Sequence, residues 1–272
     1  MEQPKLVIVD LDGTVVPHGL EMLPPSPAVV KALASVRAAG VPVAVATGRA
    51  VWGALRAVKD LDLTDGLISA THGAVTYDLG DARVVDCRLM DPSEAVRRFK
   101  AADPEVAFAV ELNTRGWRHT DNFKRDFTST WADMVDLETL AATQTARLAA
   151  RLPGGARYGA GLRCPSAAKL AADADLDSSM YYVEVGFNGW IDVGPAGITK
   201  ATGAAAVAAH YGVSAAETVV FGDAGNDLPM FAWAGHAVAM GQAVDEIKAA
   251  ADEVAPSVDD DGVAAVLRRW FE

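Results

Sequence analysis

The 272-residue chain reads as an α/β protein: a parallel sheet with helices on its faces, interrupted by an inserted α+β module. Three observations predict this. Residues 1–83 and 191–272 alternate short, β-branched apolar runs with helical segments, which is the pattern of a parallel sheet. Residues 84–190 lose that alternation and mix helices with paired strand-like runs. Several apolar runs end in Asp, Thr or Gly, as strands of an open sheet do when their carboxyl ends deliver a site.

Taken in order, KLVIVD (5–10) is a buried strand: short, continuous and β-branched. Ser26 caps the helix PAVVKALASVRAAG, with Pro27 at its first position and Gly40 just past its end. VPVAVATGR is a second buried strand, followed by a helix from about Ala50 to Asp60. GLISATHGAVTYD gives a strand, a turn at His72–Gly73 and a return strand. Within the module, DPSEAVRRFKAAD is a helix, and EVAFAVELNTRGWRHT makes two strands around Asn113–Thr114. FKRDFTSTWADMVDLETL is an aromatic connector with some helix, and TARLAARLPGG fits either a strand or a helix. PSAAKLAADADLD is a helix, and MYYVEVGFNGWIDV makes two strands meeting at Asn188–Gly189. The alternating pattern then returns. ITKATGAAAVAAHYGV is a helix ending at Gly212, and ETVVFGDAGND is a buried strand running into a polar loop. LPMFAWAG (helix), HAVAM (strand), AVDEIKAAA (helix) and a strand, turn and helix over 252–272 complete the chain.

Composition bounds the function. Hydrophobic residues make up 51% of the chain, which excludes general disorder. The formal charge of -12 opposes a nucleic-acid backbone as partner. Cys87 and Cys164 form no metal or redox spacing and are expected to be free thiols. MEQPKLVIVD has no basic n-region or cleavage site, and no apolar run reaches the ~20 residues that span a bilayer. The expectation is a soluble cytoplasmic protein with no membrane partner.

Four segments end strands or start helices in polar groups: VIVDLDGT, VAVATGR, GITK and VVFGDAGND. Together they supply Asp10, Asp12, Thr47, Gly48, Lys200, Asp223, Asn226 and Asp227. Clustered carboxylates suit a hard cation, and Mg2+ takes one or two of them together with waters and a substrate phosphate. Residues two apart in an extended segment face one side, so Asp10 and Asp12 can address one ligand. Gly13 allows a turn and close approach of a ligand to the backbone. Thr47 offers a hydroxyl, Gly48 an unencumbered N–H, and Lys200 a positive charge against a phosphoryl group. The set is what phosphoryl transfer needs: a nucleophile, an acid/base and positive groups around the transferred oxygens.

DLDGT, ATGR, GITK and GDAGND, in that order, resemble the four motifs of the haloacid dehalogenase (HAD) superfamily of phosphatases. The likeness covers roughly 1–80 and 192–272, and the insertion resembles the C2B cap of the Cof-type subfamily. VAMGQA with DEVAPSVDDDGVAAVL resembles that subfamily's C-terminal region. The resemblance implies a Rossmann-like core over 1–83 and 191–272, with an inserted α+β cap over 84–190. It implies that Asp10 is the nucleophile, forming an aspartyl-phosphate, and that Asp12 is the acid/base. Thr47, Gly48, Lys200 and Asn226 would lie around the phosphoryl group, with Lys200 also orienting Asp10. Mg2+ would be held by Asp10, Asp223 and the backbone carbonyl of Asp12, with Asp227 either binding the metal as well or supporting the ligands from behind. The implied substrate is a small phosphorylated metabolite such as a sugar phosphate. The cap would close over the sheet edge and exclude water. Phosphomutase activity and a non-catalytic phospho-ligand-binding role are the alternatives. The implied assembly is a monomer or homodimer.

Two positions depart from the usual Cof-type pattern: His72 where many read Asn before Gly-Ala, and Gln242 where many read Asn. Other features fit blander readings. Gly194 to Lys200 is not a P-loop, because Thr199 rather than glycine precedes the lysine. Asp173, Asp175, Asp177 and Glu184 mimic a calcium loop in spacing but run into a strand. His72, His119, His210 and His236 show no metal spacing, whereas His18 lies near the DLDGT loop. Trp117, Arg118, His119 and Lys124 form a basic, aromatic cluster in the cap sequence; Tyr181 and Tyr182 are candidates for the same face, with one of them expected in core packing.

Overall fold

The structure is a computed structural model describing residues 2–18, 23–112, 114–124, 129, 131–153, 164–186 and 189–272. The turns expected at Asn113 and Asn188 and parts of the connector and the TARLAARLPGG segment lie outside the described residues.

The first unit opens with β1 (Leu6–Val9), α1 (Pro27–Ala38), β2 (Val43–Ala46), α2 (Val51–Asp60), β3 (Leu67–Ala70), β4 (Val75–Asp78) and β5 (Arg83–Cys87). The insertion follows: α3 (Ser93–Ala102), β6 (Ala107–Leu112), β7 (Gly116–His119), β8 (Ala132–Met134), α4 (Leu137–Ala141), β9 (Leu148–Arg151), α5 (Pro165–Ala174), β10 (Tyr181–Val185) and β11 (Ile191–Pro195). The chain returns through α6 (Lys200–Tyr211), β12 (Thr218–Gly222), α7 (Leu228–Trp233), β13 (His236–Ala239), α8 (Asp245–Ala249), β14 (Glu253–Val254) and α9 (Gly262–Phe271).

Among the described residues, the first unit carries an eight-stranded sheet in the order β14-β13-β12-β1-β2-β3-β4-β5. Strands β14 to β3 run parallel, and β4 returns antiparallel on β3. The central strands LVIV and VAVA are buried along their whole length, because helices cover both faces of a parallel sheet. Leu6 and Ile8 pack with Ala204, Val207 and Ala208 of α6 and Met230 and Phe231 of α7. Strand β1 lies between β2, which follows it, and β12, which arrives from the far end of the chain. That is a switch point, where ligands bind beyond the strand ends.

The helix ends follow the sequence signals. The Ser26 hydroxyl accepts from Val29 N–H at 3.2 Å, and Arg37 lies in the last turn of α1. At the start of α6 the Thr199 N–H donates to Thr202 Oγ1 at 3.0 Å, and Gly212 ends the helix at φ 66°.

Among the described residues, the second unit carries a mixed six-stranded sheet, β10-β11-β9-β6-β7-β8, in which β7 and β8 are parallel. One face is apolar: Phe108, Val110, Leu148, Ala150, Ile191 and Val193 pack against α3 and α5 through Phe99 and Leu170.

The two compact units are residues 1–85 with 199–272, and residues 86–198. This moves the return boundary from Trp190 to Ile198. Strand β11 pairs with β10 and β9, so its residues belong to the inserted sheet. The ambiguous 145–155 segment contains a strand, β9, set between β6 and β11. The connector contains β8 as well as the short helix α4. The sequence reading lacked β5.

Candidate active site

Three strand ends and one helix start build the site. After β1 the chain turns through Asp10, Asp12 and Gly13, where Gly13 sits at φ 75°. After β2 come Thr47, Gly48 and Arg49. After β12 come Asp223, Asn226 and Asp227, and α6 begins with Lys200. A lysine in the first turn opposes the helix dipole, so its placement is explained by what its side chain reaches. Lys200 is buried, with Nζ at 2.8 Å from Asp10 Oδ1 and 2.7 Å from Asp227 Oδ1. The other oxygen of Asp227, Oδ2, accepts from the backbone N–H of Asp223 (2.9 Å) and Ala224 (3.0 Å). Asp227 therefore braces the loop that carries Asp223.

Asp10 and Asp12 have unequal surroundings. Asp10 is 5% exposed and paired with Lys200. The Asp12 side chain is 36% exposed, and both its oxygens accept from the Arg49 guanidinium, Oδ2 from Nε at 2.7 Å. Thr47 Oγ1 accepts from Arg49 N–H, which leaves its own O–H to donate elsewhere. Asn226 Nδ2 faces His72 Nδ1 at 3.4 Å, while its Oδ1 is buried with no hydrogen-bond partner among the described residues. The unsatisfied end of that amide is thus an acceptor, which suits a donor or cation better than a phosphoryl oxygen.

The electrostatics is that of a site short of positive charge. Burial pushes the Asp10 carboxyl up to about 8; Lys200 opposes this, but Asp227, Asp223 and Asp12 add to it. Lys200 is raised too, because the attraction of Asp10 and Asp227 outweighs its burial. The two shifts agree physically: the lysine sees two carboxylates, whereas Asp10 sees one lysine against three further carboxylates. Burial also pushes Asp223 up, against the hydrogen bond and charge of His18.

A divalent metal fits this donor set. Asp10, Asp223 and Asp227 each offer an oxygen, all within 4.8 Å of one another. Asp223 Oδ1 is buried and has no hydrogen-bond partner among the described residues. An orphaned carboxylate oxygen in an all-oxygen cluster calls for a cation, and Mg2+ accepts such ligands. The Asp12 carboxylate lies outside this cluster, engaged by Arg49, so only its backbone carbonyl remains as the contribution expected of it.

Thus Asp10, Asp12, Thr47, Lys200, Asp223 and Asp227 all belong to the first unit's polar edge, and all but Asp12 are buried. The sequence reading underrated three residues. His72 is buried at φ 55°, and its ring lies so near Gly48 that a Cβ there would come within 2.6 Å of it. His18 hydrogen-bonds Asp223. Gln242 Nε2 donates to the Gly13 carbonyl at 2.6 Å, and its Oε1 accepts from Val258 N–H. Their signals were the departures at 72 and 242 and the nearness of His18 to DLDGT.

The inserted sheet separates the cap cluster that the sequence suggested. Strand alternation puts Trp117 and His119 on the face opposite Arg118. Arg147 instead lies over the Trp117 ring at 4.9 Å and pairs with buried Glu111, while Tyr181 is buried in the apolar core.

An open parallel sheet with acidic groups and a buried lysine at its switch point, interrupted by a mixed-sheet insertion, defines a recognisable class of α/β protein. Residues 7–149 and 165–267 match the haloacid dehalogenase-like hydrolase family, and the chain belongs to it. It is 43% identical over 81 residues to the stress response protein YhaX of Bacillus subtilis, a match covering 30% of this chain and 28% of that protein. It is 25% identical over 269 residues to the phosphoglycolate phosphatase of Archaeoglobus fulgidus, covering 98% of this chain and 97% of that one. In fold it matches the HAD subclass IIB sugar phosphatase BT4131, with a TM-score of 0.78 at 23% identity over 98% of both chains. The match to YhaX therefore spans under a third of that protein.

Proposed function

We propose that the chain is a Mg2+-dependent phosphatase of small phosphomonoesters, with a sugar phosphate or related metabolite as its substrate. The observation that carries this is the division of labour between two carboxylates two residues apart. Asp10 is buried on Lys200, and Asp12 is more open and gripped by Arg49. Asp10 attacks phosphorus, forming an aspartyl-phosphate as the ester P–O bond breaks. Asp12 gives the leaving oxygen its proton. A water then attacks the phosphorus, Asp12 takes that water's proton, and phosphate leaves with Asp10 regenerated. Thr47 O–H and Lys200 hold the transferred oxygens. Mg2+, when bound, supplies positive charge that offsets the crowded carboxylates and the phosphoryl group. Asp10 and Asp223 would hold it, with the Asp12 carbonyl, and Asp227 would brace Asp223. Family membership and the names of the sugar phosphatase and the phosphoglycolate phosphatase support the substrate class.

The test is a phosphate-release assay over sugar phosphates, phosphoglycolate, nucleotides and pyridoxal phosphate, with and without Mg2+. Asp10→Asn is expected to lose turnover by several orders of magnitude, because loss of a nucleophile removes the reaction path. Near-normal release by that variant would sink the proposal.

A further inference from the structure

The carboxylate of Asp223 is held by an imidazole from the other side of the site. His18 Nε2 lies 2.8 Å from Asp223 Oδ2, and since a carboxylate oxygen accepts, the ring N–H donates. The contact spans 205 positions of sequence. Gly13 makes room for it: a Cβ there would come within 2.2 Å of Asp223 Oδ2 and 2.3 Å of His18 Nε2. Gly13 also sits at φ 75°, where a side chain is strained in any case. The loop is therefore shaped around this pair. The pair occupies one oxygen of Asp223 and leaves Oδ1 buried with no partner among the described residues. Behind Asp223, its backbone N–H is tied to Asp227 Oδ2 at 2.9 Å.

We propose that His18 is a positioning residue for the cation: it pins Asp223 through Oδ2, so that Oδ1 is presented in a fixed direction to a divalent metal. This rests on the reading of the site as a metal-dependent phosphatase. Partners behind a ligating carboxylate fix its orientation and spare the metal the entropy of ordering it. His18 and Asp223 both belong to the same compact unit.

The experiment is a calorimetric titration of the metal-free full chain with Mg2+ and, separately, Mn2+. His18→Ala is expected to weaken binding by about ten- to a hundredfold, the usual effect of removing such a partner. His18→Gln, which keeps a donor, is expected to restore most of that loss. Should the alanine variant fail to fold, His18→Leu fills the space without a donor and answers the same question. If the donor-free variant binds Mg2+ as tightly as the parent, or more tightly, the proposal is overturned; His18 would then stand in for the cation rather than orient its ligand. If the unmodified chain binds neither cation, the metal-dependent reading of the site falls, and this inference falls with it.

Discussion

Arg49 shows how much a single side chain decides. Its guanidinium meets both oxygens of Asp12, the two-point geometry that lysine cannot reproduce. It thereby fixes the carboxylate's position, and Asp12 has to give up one of these two contacts to carry the proton for a leaving oxygen. Arg49→Lys keeps the charge and loses the fork. General acid catalysis contributes about 10²–10⁴-fold, and a misplaced acid forfeits a part of it that depends on the leaving group. The variant should therefore lose much of its kcat/KM on an alkyl phosphomonoester and far less on p-nitrophenyl phosphate, whose phenolate needs little protonation. Equal losses on both would show that Arg49 only supports the loop. At this scale the sequence was informative where short motifs carry side chains in a fixed local order: Asp10, Asp12, Thr47, Lys200, Asp223 and Asp227 all reached one edge. It gave only a weak signal where a role depends on contacts between distant residues. His18 meets Asp223, and His72 meets Asn226, only once strands from both ends of the chain lie side by side.

Elements were legible where both faces or both ends carry a signal. Strands β1 and β2 are apolar throughout because both sheet faces are covered, and α1 and α6 carry caps at one end and glycines just past the other. Strand β9 was ambiguous because Leu148 to Arg151 is too short for periodicity to separate strand from helix; pairing with β6 and β11 decides it. Strand β5 was missed because its exposed edge position leaves no apolar alternation to read. The start of α6 is where element and site meet, since Lys200 occupies its first turn. There, Gly203 packs so tightly that a Cβ would lie 1.9 Å from Ser69 Oγ and 2.9 Å from Gly73 Cα. Gly203→Ala has to push α6 off β3 and its turn. It should cost about 1–3 kcal/mol of stability, as overpacking does, and lower kcat by shifting Lys200. At the far end, Gly212 has open space around it but sits at φ 66°. Gly212→Ala should cost about 1 kcal/mol and leave kcat unchanged. Urea unfolding with parallel kinetics separates the two; equal kcat in both variants would refute the coupling between α6 packing and Lys200.

For the molecule as a whole, the charge crowded into the site should govern how stability responds to pH. Asp10, at about 8 instead of its ordinary 3.8, keeps its proton in the folded chain over a range where the unfolded chain has lost it. The folded state then binds more protons, so stability falls as pH rises through that range. Asp223 is also raised, by burial, and acts in the same direction. His18 does too: burial would lower it, but the hydrogen bond and charge of Asp223 leave it raised, so its contribution fades as pH climbs through neutrality. Lys200 is raised as well, but its contribution is lost only far above this window. The lowered carboxyls Glu94 and Glu217 act oppositely, and only in acid, where stability falls as they gain protons near pH 2 to 4. A metal-free sample should therefore melt progressively earlier from pH 5 to pH 8, and saturating Mg2+ should flatten that slope. A cation needs ionised ligands, so its binding has to expel the protons that burial retains. The carboxylates titrate as a coupled group, and the count of protons belongs to the cluster rather than to Asp10 alone. Mg2+ titrations near pH 6.5 in buffers of different ionisation enthalpy read that release directly. A binding enthalpy that does not change with the buffer would mean that Asp10 is already ionised in the empty site, and that Lys200 and Arg49 alone balance its charge.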